Sequence, residues 1–154
     1  MECEKIVVKE LFREETDPVN IYIYATAEEV VDILKSEGFV QTWVQNPAIF
    51  LSRQADVALI KPFIWALKEF FRAHVRLWLI EKGGTVVGNA HIDVATVAAD
   101  VSVVKHEAFH DAGRAIIADA FLKRGYKVVY ERCEGNFKNF DGFVAKIYKP
   151  ERQL

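Results

Sequence analysis

Apolar spacing divides the chain into short alternating runs and three helical stretches. Residues 6–12 and 21–25 (IYIYA) are β-branched and aromatic and predict strands. In TAEEVVDILKSEG, Val30, Val31, Ile33 and Leu34 form a stripe at helical spacing. Thr26 with Glu29 three residues on makes a capping box, and Gly38 is a C-terminal stop. Residues 39–56 have no clean period. Asn46-Pro47 marks a turn, and Phe39, Trp43 and Phe50 predict a loop folded over the core. Residues 56–73 predict a helix, regular from Pro62. Its Phe63, Ile64, Trp65, Ala66, Leu67, Phe70 and Phe71 cover most of the circumference, as in a helix buried on several sides.

Residues 74–96 read as a hairpin about Gly83-Gly84. A valine-rich third strand follows over 97–104. Ile116, Ile117, Ala120 and Phe121 then predict a helix ending near Arg124-Gly125. Residues 126–133 and 143–148 predict two more strands, with a turn over 136–142. The expected class is α+β: a mixed, mostly antiparallel sheet flanked by helices, with one right-handed parallel crossover through the last helix.

Bulk properties narrow the function classes. A chain of 154 residues predicts one domain, 1–154. A net charge of −2 gives no general attraction to nucleic acid or to an anionic membrane, and neither is expected as a partner. Cys3 and Cys133 lie far apart with no C-x-x-C between them, so no disulfide framework is indicated. Cys133 reads as a small buried filler. With charges in ECEKIVV where a signal peptide needs an apolar run, a cytoplasmic location is expected.

The chemistry concentrates in VVKHEAFHDAGRAII, which supports two incompatible backbones. As a helix, His106 and His110 share one face and can bind one zinc ion, with Glu107 as general base on its water. His91, Glu131 and Glu134 are then the candidates for a third ligand. As a strand and loop running into a helix, the same residues offer unpaired amides and a positive dipole end to an anion. Asp111 is the expected N-cap in that case.

In its second form the stretch VSVVKHEAFHDAGRAIIADAFLKRGYKVVYERCEGN resembles the core of the GNAT acetyltransferase superfamily. In that family a strand enters a glycine-rich loop, and the following helix holds the pyrophosphate of acetyl-CoA. The resemblance places Val103 and Val104 beside the pantetheine. It places Ala112, Gly113, Arg114 and Ala115 at the pyrophosphate, and Asn136 after the next strand. The family's Arg/Gln position falls on Ala108 and its first glycine on Asp111, so the implied loop is a degenerate one. The implied activity is N-acyl transfer from acetyl-CoA to a small-molecule or peptide amine. The amine needs a base to take its proton; Asp100 comes first, then His91 and Asp93. A third class of function also stands open: a non-catalytic assembly protein on the same fold, a homodimer being the candidate assembly. Its contact surface would be the apolar 62–71 segment and the aromatic 39–50 segment.

Overall fold

The computed structural model describes residues 1–10, 13–45, 48–54, 58–63, 67–97 and 103–150. For 8–10, 13–15, 42–45, 48, 50, 54, 58–63, 67–74, 94–97 and 103–107 the description is of backbone alone. The chain opens with β1 (Lys5–Glu10), β2 (Arg13–Pro18), β3 (Ile21–Tyr24) and α1 (Ala27–Ser36). Four strands follow: β4 (Val40–Gln45), β5 (Ala48–Gln54), β6 (Ala58–Phe63) and β7 (Leu67–Lys82). Then come β8 (Thr85–Val97), β9 (Val103–Phe109), α2 (His110–Leu122), β10 (Lys127–Arg132) and β11 (Phe143–Tyr148).

The hairpin β7–β8 is the spine. Lys82 pairs with Thr85 across Gly83 and Gly84, whose φ values of 58° and 81° suit the primed turn that matches strand twist. Around it lies a nine-stranded sheet in the order β10-β11-β3-β8-β7-β5-β4, with β6 also on β7 and β9 also on β8. Only β11 and β3 run parallel among the described pairs; the others are antiparallel. The class is therefore α+β with a mostly antiparallel sheet.

Strand alternation sorts the faces. Val75, Leu77 and Leu79 of β7 join Val86 and Ala90 of β8 in the main core, with Val30 and Leu34 of α1 and Ile117 and Phe121 of α2. Trp78 and Val87 point the other way, where Ile6 of β1 and Val19 cover them. Each such large side chain, once buried, contributes about 1.5–3 kcal/mol. The α1 capping box forms as expected, between Thr26 and Glu29.

Four features depart from the sequence reading. Residues 39–56 contribute the antiparallel pair β4–β5, with Asn46-Pro47 and 55–56 outside the described residues. The described residues of 56–73 form β6 and the start of β7, not a helix; 56–57 and 64–66, Trp65 included, lie outside the described residues. Apolar residues all round suit a strand covered on both faces as well as a buried helix, and length could not separate them. Pro62 is tolerated because β6 pairs only with β7 among the described strands, leaving a side that needs no N–H. The third departure is β2, whose sequence REETDP has no alternation. Its register on β1 sets Arg13 opposite Glu10 and Glu14 opposite Lys9. Fourth, α2 makes no parallel crossover. It leads from β9, on the edge of β8, to β10, which lies beyond β3 and β11 and runs opposite to β9.

The cysteines are also corrected. Cys3 and Cys133 are joined in a disulfide across 130 positions. Backbone bonds from Cys3 N–H to Glu134 O (2.8 Å) and from Glu134 N–H to Met1 O (2.7 Å) bring the first residues beside the end of β10. Spacing along the chain could not show this, because the sheet folds the N-terminus back on itself.

Candidate functional site

One edge of β8 changes partner midway. It pairs with β3 over Val86–Gly88 and with β9 from Ile92 onward. The intervening backbone still needs hydrogen bonds. The side chain of Asn20, fully buried just before β3, meets it: Ala90 N–H donates to Asn20 Oδ1 (2.8 Å), and Asn20 Nδ2 donates to Ala90 O (2.7 Å). A carboxamide thus imitates a strand for one residue. Asn20 Nδ2 also donates to His110 O (3.0 Å), fixing the start of α2 against the gap.

A second buried amide, Asn89, sets the chemistry of two histidines. Its Nδ2 donates to Pro18 O at 2.7 Å, which fixes which end of the amide is which. The same Nδ2 lies 3.0 Å from His110 Nδ1, so that nitrogen is an acceptor and the His110 proton sits on Nε2. Asn89 Oδ1 lies 2.7 Å from His91 Nδ1, so His91 donates there and its Nε2 is the basic nitrogen. The two rings are 5.8 Å apart and meet edge-on. Burial pushes the His110 pKa down to about 4, so it is neutral at ordinary pH.

The segment after β10 straps the start of α2. The N-cap, Phe109, supplies no side-chain bond. Instead His110 N–H donates to Asn139 O (3.2 Å), and Asp141 N–H donates to the Asp111 carboxylate (2.9 Å). Arg114 makes a bidentate pair with Asp141 (2.6 and 2.9 Å) and donates to Phe143 O (2.6 Å). Arg114 holds Asp141 below the usual carboxylate range. Burial, with the Asp141 charge, pushes Asp111 up.

Backbone register draws the remaining histidines to the same end of the sheet. His91 and Asp93 are two apart on β8 and therefore share a face. Directly opposite them on β7 stand Arg76 and His74; on β9, Ala108 is opposite Asp93 and His106 opposite Ala95. All 4 histidines of the chain thus fall on three neighbouring strands and the first residue of α2. Arg76 Nε lies 3.1 Å from Asp93 Oδ2; Asp93 is 5% exposed and Arg76 40%, so the row reaches solvent at Arg76. Among the described residues no three metal-ligating side chains converge; His74 and His106 are known by register.

The residues singled out from the sequence separate accordingly. HEAFH is not helical: it ends β9, and His110 begins α2. The zinc pattern that requires His106 and His110 on one helix face, with Glu107 between, is not formed. Asp111 lies inside the first turn of α2 rather than capping it. Val103 and Val104 start β9, about 20 Å along the strand from α2 at the usual rise per residue. Ala112 and Ala115 are exposed, whereas Gly113 and Arg114 are buried. A Cβ on Gly113 would stand 2.3 Å from His91 Cα, so this glycine serves close packing of α2 on β8. Arg114 is engaged by Asp141, and Asn136 is exposed in the segment after β10. Asp100 lies outside the described residues. Glu131 pairs with Lys146, and Glu134 lies at the disulfide, both away from His91.

Sequence reasoning missed Asn20, Asn89, Arg76 and Asp141. A signal for one of them was present: Asn89 alternates with His91 and Asp93 in NAHID, a polar row inside an apolar strand. Comparison of the chain with protein-family models, with curated proteins and with solved structures finds no match.

Proposed function

We propose that the chain binds one divalent transition-metal ion on the β7–β8–β9 face and uses it in hydrolysis. His91 and Asp93, two apart on one face of β8, are the proposed ligands; His74, opposite Asp93 on β7, and His106, opposite Ala95 on β9, stand at the neighbouring register positions, and Arg76 pairs with Asp93 at the solvent edge. The observation that carries this is the tautomer of His91. Asn89 Oδ1 accepts a hydrogen bond from His91 Nδ1–H at 2.7 Å, which is how an outer hydrogen bond prepares the other imidazole nitrogen for a metal. Asp93 shares its face, and His74 stands opposite Asp93, where Cβ atoms are about 4.5–5.5 Å apart. Two or three imidazoles with a carboxylate suit zinc or ferrous ion better than calcium or magnesium. Such an ion, when bound, lowers the pKa of its water and supplies a nucleophile near neutral pH.

The acetyl-CoA reading draws less support. Gly113 is closed off by His91, and Arg114 is already paired. The disulfide favours an oxidising compartment over the reducing cytoplasm as the place of work. No helix among the described residues is long and apolar enough to cross a membrane.

The test is calorimetric titration of chelator-treated protein with zinc, then with ferrous ion. One equivalent is expected, lost in His91→Ala and Asp93→Ala and weakened at least tenfold in His74→Ala. Asp32→Ala, on the exposed side of α1, leaves binding unchanged. Folded protein that binds neither ion overturns the proposal.

A further inference from the structure

Strand β10 ends the sheet, and among the described strands it pairs only with β11. Just past its end the Cys133 N–H donates to Gly142 O (2.7 Å), which continues the β10–β11 register. Antiparallel bonding alternates, so every second residue back from Cys133 also bonds to β11: Glu131, Val129 and Lys127. The main-chain groups of Val128, Tyr130 and Arg132 therefore point away from the sheet. Beyond them the edge is already served, since Glu134 N–H donates to Met1 O (2.7 Å) and Glu134 O accepts from Cys3 N–H (2.8 Å). Among the described residues the open edge is thus 128–132. A proline or a bulge commonly blunts such an edge. KVVYER has neither, and its register on β11 is unbroken. Val129 is 39% exposed and Tyr130 49%.

We infer that β10 pairs with β10 of a second copy, antiparallel about a twofold axis through Val129, so that one sheet runs through a homodimer. Main-chain bonding requires outward residues to meet outward residues. Centring the pair on Val129 meets this condition, because Val128 of each copy faces Tyr130 of the other. The same register sets Lys127 of each copy opposite Glu131 of the other, and Val129 opposite itself. These are the non-hydrogen-bonded positions, where facing side chains are closest. Opposite charges there favour the pairing, and the symmetry supplies the pair twice. Centring on Tyr130 instead sets Val129 against Glu131 and Val128 against Arg132, which matches nothing. The strand is complementary to itself in one register, and that selects a second copy as the occupant. β10 lies at the opposite end of the sheet from β4 and β5, so the aromatic 39–50 segment is not the contact. The inference stands apart from the metal proposal, because it uses none of the same residues.

Sedimentation equilibrium of the full chain, from micromolar to millimolar concentration, is expected to show a reversible dimer. Monomer throughout overturns the inference. Val129→Cys tests the axis directly. It adds one thiol to a chain whose own cysteines are joined to each other. Across the axis the two Cα atoms stand about 4.5 Å apart, within the span of a disulfide. Mild oxidation is expected to link Val129→Cys at least tenfold faster than Glu28→Cys, whose site is exposed on α1. Equal rates overturn the twofold register. Lys127→Glu alters an exposed side chain and sets a carboxylate opposite Glu131, so it is expected to weaken the dimer at least fivefold. A dimer that keeps its affinity in this variant rests on another face and overturns the inference.

Discussion

Asn89 shows how one side chain decides the state of its neighbours. Its amide has two unlike ends, and three partners consume them: Pro18 O and His110 Nδ1 at the nitrogen, His91 Nδ1 at the oxygen. No acceptor is left to welcome a proton on His110 Nδ1, and burial disfavours the charged ring. Its folded pKa of about 4 lies below the unfolded value of 6.5. The unfolded chain therefore binds the proton first as pH falls. Stability from this residue is complete above about pH 6.5 and is lost progressively as pH drops towards 4, by about 3 kcal/mol in all. Urea unfolding between pH 7 and 4, with chelator present, is expected to show this acid loss. His110→Phe keeps a ring in the site without a titrating nitrogen, and its acid limb should be flatter. Identical slopes in the two proteins would assign the loss to other groups.

At the scale of elements, the contact that orders the site is α2 against β8. Two effects compete at Gly113. Alanine is the better helix former by about 1 kcal/mol. Against that, its methyl would meet backbone atoms of His91 at 2.3, 2.5 and 2.6 Å, and a strand backbone does not yield as a flexible side chain does. The clash should win: Gly113→Ala is expected to destabilise by about 1–3 kcal/mol in urea unfolding. A stabilised variant would mean that α2 does not approach β8 so closely. This contact also shows what the sequence could and could not disclose. The hairpin about Gly83-Gly84, the capped α1, and β3, β10 and β11 were legible, because turn residues, caps and alternation are local. The β9–α2 junction was half legible: a strand passing into a helix was expected, but its position was not. Asp111 looked like a cap because Asp commonly caps helices. The loop carrying Asn139 does that work instead: its carbonyl accepts from the His110 N–H, from about thirty residues away. The 56–73 segment failed for a different reason. Its apolar residues carry no period, and only pairing with neighbouring strands settles such a run.

For the whole molecule, the disulfide closes the longest covalent loop and joins the N-terminal ribbon to the segment that straps α2. Its partners could not be read from the sequence, since two cysteines separated by 130 positions meet only once β1, β10 and their connections are in place. A link across so long a span restricts the unfolded chain most, and is worth about 2–5 kcal/mol in that account. Cys3→Ser with Cys133→Ser is therefore expected to lower Tm by roughly 5–15 °C. Two mechanisms would give such a fall, and hydrogen exchange separates them. If the disulfide acts on the unfolded chain, the folded backbone keeps its bonds. The Cys3 and Cys133 amides, which donate to Glu134 O and Gly142 O, then stay protected relative to the rest of the sheet even as Tm drops. If it acts as a local clamp, those two amides exchange early, and the His110 amide bonded to Asn139 O follows them. The backbone bonds on both sides of the bridge favour the first outcome. Early exchange at His110 would instead show that the strap over the histidine row depends on the sulfur link, and would tie the state of the thiols to the order of the site.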